Sequence, residues 1–158
     1  MKSKAVKAKS KSTSKGSSAA RLAKARAGSA ARAKPGNPLL ARWGAAFGLP
    51  PFKKIDPAHF KAAFAAALKE HKTEIAAIAG DSAKPTFKNA IAALEKSGRL
   101  LDKVASVFYN LTGAHTNEAL QVIERDMAPK LAAHETAILL NGKIFTRVED
   151  LYRRRDQL

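Results

Sequence analysis

The sequence predicts an all-α protein, and three observations carry that prediction. Apolar residues recur at three- and four-residue spacing in successive stretches after Asp56. No stretch shows a convincing apolar–polar alternation of the kind a half-buried strand requires. Alanine, the strongest helix former, supplies much of the apolar content. Alanine buries little area and aromatics make up only 6% of the chain, so the core is expected to be thin. The expected architecture is a helical, bundle-like lobe preceded by a disordered basic tail.

The tail is residues Met1–Gly36. It holds eight Lys, three Arg and no Asp or Glu, which leaves only +5 of the total charge of +16 for Asn37–Leu158. The high pI is therefore mainly a property of the tail. Its sizeable apolar residues after Met1 are Val6 and Leu22. Such a segment cannot bury enough surface to offset the entropy of ordering. No apolar run follows the first lysines, so a secretory leader is not predicted. Serine and arginine without acid also match an organellar transit peptide, although the amphipathic face is weak. The expected location is the cytoplasm, with organellar targeting as the alternative. Eleven cations would bind polyanions non-specifically through counterion release. No aromatic precedes Trp43 to stack on bases.

Residues 37–56 form the second unit. Pro35-Gly36 and Pro38 mark its start. Leu39, Leu40, Trp43, Phe47, Leu49 and Phe52 follow neither a helical nor a strand period. They are read as an apolar strap laid across helices. The rival reading is a partner-docking motif, because Pro50-Pro51 favours extended polyproline geometry.

The helical region spans 57–158. Asp56 is the expected N-cap of the first helix, with Pro57 at N1. Phe60, Phe64, Ala67, Leu68, His71, Ile75 and Ile78 form its stripe, with Lys61, Lys69, Lys72 and Glu74 mostly opposite. Gly80-Asp81 ends it. Thr86 is the expected cap of the second helix, through Phe87, Ile91, Leu94, Leu101, Val104, Phe108 and Leu111, with Gly98 placed to kink or split it. Thr116 is the expected cap of a third helix through Leu120, Ile123, Met127, Leu131, His134 and Ile138, bent at Pro129. After Asn141-Gly142, a last helix carries Ile144, Phe145, Val148, Leu151 and Tyr152 and ends in Arg153–Arg155.

Chemistry-bearing residues are sparse. His134-Glu135-Thr136-Ala137-Ile138 approaches H-E-x-x-H, but Ile138 stands where a second imidazole must face the zinc. His134 is read as a helix-face histidine near the core. His71 is read as a satisfied core histidine, His59 as solvent-facing, and His115 as a turn residue. No two histidines lie three or four residues apart. Cysteine is absent, which excludes disulfides and thiolate metal sites. Ser106 has no elbow or paired base, Asp102 and Glu95 read as surface charges, and the glycines build no phosphate loop. No catalytic, cofactor-binding or metal-binding residue is predicted. No apolar run approaches the length of a membrane span, so no membrane partner is expected.

Asn37–Leu158 resembles a known family. The matching stretches are NPLL followed by FGLPPF, then AHFKAAFAAALKEH, then PTFKNAIAALEKSGRLLDKVASVFYNL, then TNEALQVIERDMAPKLAAH and FTRVEDLYRRR. In that order they resemble the N-terminal region of the thimet oligopeptidase family of zinc metallopeptidases, most closely its peptidyl-dipeptidase branch. Lys88, where an acid looks commoner, is a small departure. The resemblance implies an almost wholly helical, two-lobed enzyme with a channel for short peptides. It implies zinc held by the two His of H-E-x-x-H and a later Glu, and release of dipeptides from peptide C-termini. None of those ligands falls on this sequence. The expectation is an N-terminal fragment of such a peptidase, inactive alone and without zinc. Exposed apolar helix faces should favour self-association. The alternatives are a basic-tailed nucleic-acid-binding protein and a helical protein-interaction module.

Overall fold

A computed structural model describes residues 36–44 and 46–157, and the architecture is all-α. The expected disordered tail lies outside the described residues except for Gly36. Five α-helices follow one another: α1 (Pro57–Ala79), α2 (Ile91–Lys96), α3 (Arg99–Ala114), α4 (Glu118–Leu139) and α5 (Gly142–Arg153). Short 3-10 turns occupy Ala46–Gly48, Phe52–Lys54 and Arg155–Gln157. No strand occurs among the described residues.

Helix α1 is the hub and packs against each of the other four. It starts as the sequence predicts, at Pro57 behind Asp56. Its face presents Phe60, Ala63, Phe64 and Ala67, all fully buried. The two alanines let α3 and α4 approach closely, while the two phenylalanines supply area. Phe108 of α3 completes an aromatic triad, edge-on to Phe60 at 5.0 Å and to Phe64 at 5.3 Å between centroids. Val104, Val107, Leu120 and Met127 close this core.

The strap divides into two halves. Leu39 is fully buried, and Leu40 and Trp43 pack beside it. Asn37 fixes the entry, donating from Nδ2 to His59 O and accepting at Oδ1 from Leu39 N. Lys103 of α3 lies 4.1 Å above the Trp43 ring and donates to Ala41 O. Its partial burial holds the ammonium below the usual lysine range. Beyond Gly44 the expectation fails, because Phe47, Leu49 and Phe52 are exposed. Phe47 and Gly48 both take positive φ, at 59° and 66°, and this turn carries the segment off the helices.

Two further boundaries differ from the sequence reading, at Thr86 and Thr116, while the split expected at Gly98 is present. Thr86 caps a turn rather than a helix: its N–H donates to Asn89 Oδ1 and its hydroxyl accepts from Asn89 N–H, with α2 starting at Ile91. Phe87 sits in that turn and is exposed. Gly98 divides the predicted second helix into α2 and α3, in a left-handed conformation at φ 74°. Asn117, not Thr116, caps α4, because its Oδ1 accepts from Leu120 N–H. Helix α4 then continues through Pro129 to Leu139.

Asn141 serves as the cap of α5, accepting from Lys143 and Ile144 N–H. Ile144 and Leu151 are buried as predicted, but Phe145 and Tyr152 are exposed. Arg147 takes the inward position instead and is 8% exposed. Its guanidinium donates to the Asp81 and Ala83 carbonyls and to Asp81 Oδ2. Arg154 adds a bond to Pro85 O and an ion pair with Asp150. Two arginines thus staple α5 to the α1–α2 connection. Arg153 pairs with Glu149, and Arg155 lies over the Tyr152 ring. Among the described residues, no helix is long and apolar enough to cross a membrane.

Candidate functional site

A polar cluster lies where α1, α4 and the α2–α3 junction meet. His71 comes from the inward side of α1, and His134 from that of α4. Their rings are edge-on, with centroids 4.8 Å apart. His134 Nε2 lies 3.0 Å from His71 Nδ1, and His71 Nε2 lies 3.2 Å from Ser97 Oγ. Ser97 Oγ donates to Leu94 O at 2.7 Å. The hydroxyl proton is thereby committed, so Oγ accepts from His71 Nε2–H. His71 Nδ1 is then the acceptor for His134 Nε2–H. The tautomers follow from this directed chain of three bonds.

Glu74, one turn beyond His71 on α1, accepts at Oε2 from Gly98 N–H at 2.8 Å. The sequence placed Glu74 mostly on the polar face. In the structure it is half-buried and satisfies a donor exposed by the helix break. A Cβ on Gly98 would meet His71 Cε1 at 2.8 Å and Nδ1 at 2.9 Å. Glycine is therefore required twice, for its φ and for the space the imidazole fills.

His134 is buried at 6% exposure. Burial holds its imidazole below the ordinary histidine range, helped by the neighbouring His71 and by the Lys72 cation. The surroundings therefore favour the neutral form of His134. The cluster contains no nucleophile with a base beside it, since Ser97 spends its proton on a backbone carbonyl.

The zinc that the family resemblance implies does not fit these residues. The facing nitrogens of His71 and His134 are bonded to each other, and Glu74 is committed to Gly98. Among the described residues no three His, Cys, Asp or Glu side chains gather as a ligand set. Two histidines alone fall short of the three protein ligands that a zinc site keeps.

The other residues weighed from sequence are dispersed. His59 is half-buried rather than solvent-facing, and its Nδ1 accepts from Asp56 N–H at the start of α1. His115 is exposed and ends α3. Ser106, Asp102 and Glu95 are exposed. Sequence reasoning put His71 and His134 separately near the core and missed their pairing. Both lie on apolar stripes, which was the available signal, but a stripe does not say which residue faces it.

A second feature is a groove of about 660 Å³ between α1 and α4. Leu68 and Met127 form part of its floor, and Lys61, Lys69, Lys72 and Lys130 stand along it. Asp126 beside it takes Lys130 at 2.6 Å and Lys61 at 3.0 Å. The hydrogen bond from Lys130, then that from Lys61, holds this carboxyl below the usual carboxylate range.

The packed core, the histidine cluster and the groove contain no catalytic set, so kinship is the informative comparison. A dipeptidyl carboxypeptidase of Escherichia coli (strain K12) is 40% identical over 122 residues, covering 77% of this chain and 18% of that protein. A dipeptidyl carboxypeptidase of Salmonella typhimurium is 38% identical with the same coverage. Over the matched residues the chain resembles dipeptidyl carboxypeptidases, which supports the likeness to the peptidyl-dipeptidase branch of the thimet oligopeptidase family. No protein-family model matches the chain. It spans about a fifth of the length of these peptidase relatives. At that identity the helical frame is shared, while the remaining four fifths of the relatives has no counterpart in the residues at hand.

Proposed function

We propose that this chain is a scaffold segment of a dipeptidyl carboxypeptidase-type zinc metallopeptidase. It supplies a helical wall of the lobe beside the peptide channel and does not hydrolyse peptides by itself. The observation that carries this reading is the 40% identity over 122 residues, in a sequence that contains no H-E-x-x-H. Zinc, and the carboxylate that activates water on it, would come from other parts of such a peptidase. Short peptides would be the substrate of the whole enzyme.

The surface supports the same reading. Phe47, Leu49, Phe87, Leu139, Leu140 and Phe145 are large, apolar and more than half exposed. A segment of a larger assembly needs such apolar surface for its neighbours.

Fragment complementation tests the proposal. The purified chain alone should release no dipeptides and keep no stoichiometric zinc after dialysis. Mixed with the Escherichia coli relative lacking its matched 122 residues, it should restore dipeptide release. Chelator-sensitive hydrolysis by the chain alone would overturn the proposal. So would failure of the chain to associate with the truncated relative.

A further inference from the structure

The groove between α1 and α4 combines an apolar floor with a cationic rim. Along α1 its lining residues run from Lys61 to Ala76 at spacings that keep them on one face. At 1.5 Å per residue that face is about 22 Å long, roughly four helical turns. Leu68 is half-buried and Ala65 and Ala76 are exposed along the groove, while Met127 lines it from the core and is itself buried.

The charge is one-sided. Lys61 and Lys130 share a single carboxylate, Asp126. Lys69 and Lys72 make no ion pair among the described residues, although both are exposed. The rim thus carries four cations against one anion. The field also reaches inward, since Lys72 helps to keep His134 neutral.

We infer that this groove is a docking site for an acidic amphipathic helix of a partner polypeptide. The apolar stripe of that helix would lie on Ala65, Leu68 and Ala76, and its flanking carboxylates would meet Lys69 and Lys72. A four-turn trough with apolar floor and charged edges is what helix-in-groove recognition needs. Complementary charge along the edges would set orientation and speed encounter. A second copy of this chain is disfavoured, because Asn37–Leu158 carries net +5. A nucleic acid would use the lysines and leave the apolar floor without a role. The inference does not depend on the peptidase proposal, and its test involves no peptidase.

The test uses the full chain and three fluorescein-labelled probes read by anisotropy. The first is an 18-residue helical peptide with a leucine stripe flanked by glutamates. The second is a scramble of the same composition with no stripe. The third is polyglutamate of equal charge, which reports non-specific attraction by charge without an apolar stripe, including that of the eleven cations of Met1–Gly36. The amphipathic peptide should bind at least tenfold tighter than the other two. Lys69→Glu with Lys72→Glu should remove that advantage while helicity by circular dichroism is unchanged. The milder Lys69→Gln with Lys72→Gln should weaken it by a smaller factor. A photo-crosslinker on the leucine face should label α1 and α4. Equal affinity for peptide and scramble would overturn the inference. So would unchanged binding in the charge-reversed variant, or crosslinks confined to residues 1–56.

Discussion

His134 Nε2 and His71 Nδ1 stand 3.0 Å apart across the α1–α4 interface, and the bond between them requires one N–H and one lone pair. Ser97 fixes which ring supplies which, because its own proton goes to Leu94 O. The pair is thus a one-way hydrogen-bond chain between two helices, through residues 63 apart in sequence. A second proton between the rings would set two N–H groups against each other.

The first prediction is a pH dependence of stability. Burial depresses the folded-state pKa of His134 below the ordinary value of 6.5. The unfolded chain therefore binds the proton more readily, and stability rises with pH in that window. The contribution is fully present above pH 6.5 and is lost as pH falls from there through the lower folded-state value. His134→Gln keeps a donor to His71 but cannot titrate. Urea unfolding between pH 7.5 and 5.5 should show a smaller slope in the variant. Equal slopes would remove His134 as the source. Asp126 has a lowered pKa too, but as a carboxylate it loses its contribution only at more acidic pH.

Gly98→Ala should destabilise the fold by at least about 1–3 kcal/mol, the usual cost of a left-handed non-glycine residue. The alanine methyl would also displace the His71 ring. Combining it with His71→Ala removes that collision, so the two losses should be less than additive by roughly 0.5–3 kcal/mol. Strict additivity in denaturant midpoints would show that the imidazole is not the obstacle.

Arg147→Ala should cost about 1.5–3 kcal/mol, the range for hydrogen bonds to a charged group. The value stays below that of a fully buried ion pair, because Asp81 is one-third exposed and can rehydrate. One guanidinium nitrogen, Nε, also lacks a partner, which lowers the net gain. Arg147→Lys should recover little, because an ammonium cannot span two carbonyls and a carboxylate in one plane. Calorimetric melting of the two variants should place them close together and well below the wild type.

Legibility in the sequence followed the kind of interaction. Stripes on α1 and α3 were readable because burial of Phe60, Phe64, Val104 and Phe108 repeats with the helical period. Caps were less readable. Thr116 and Asn117 are both good N-caps, and only the backbone path decides which side chain reaches Leu120 N–H. Three polar roles were hidden: the inward turn of Arg147, the reach of Glu74 to Gly98, and the pairing of His71 with His134. Each depends on a partner distant in sequence, and no local pattern encodes it. The strap misled beyond Gly44 because apolar composition predicts a wish for burial, not the surface that supplies it.

Two phenylalanines that the sequence placed on equivalent apolar stripes should now behave differently. Phe64 is fully buried and touches both other rings of the triad. Phe64→Ala removes the whole ring from a packed site, so a loss of about 3–5 kcal/mol is expected. Phe145 on α5 is 63% exposed. Phe145→Ala should change stability by only about 0.5 kcal/mol. If apolar faces such as this one drive association, Phe145→Ala should instead lower self-association at high concentration and reduce hydrophobic dye binding. Sedimentation with parallel urea titration separates the two effects. A large stability loss from Phe145→Ala, or a small one from Phe64→Ala, would mean that the core is arranged differently from the one described.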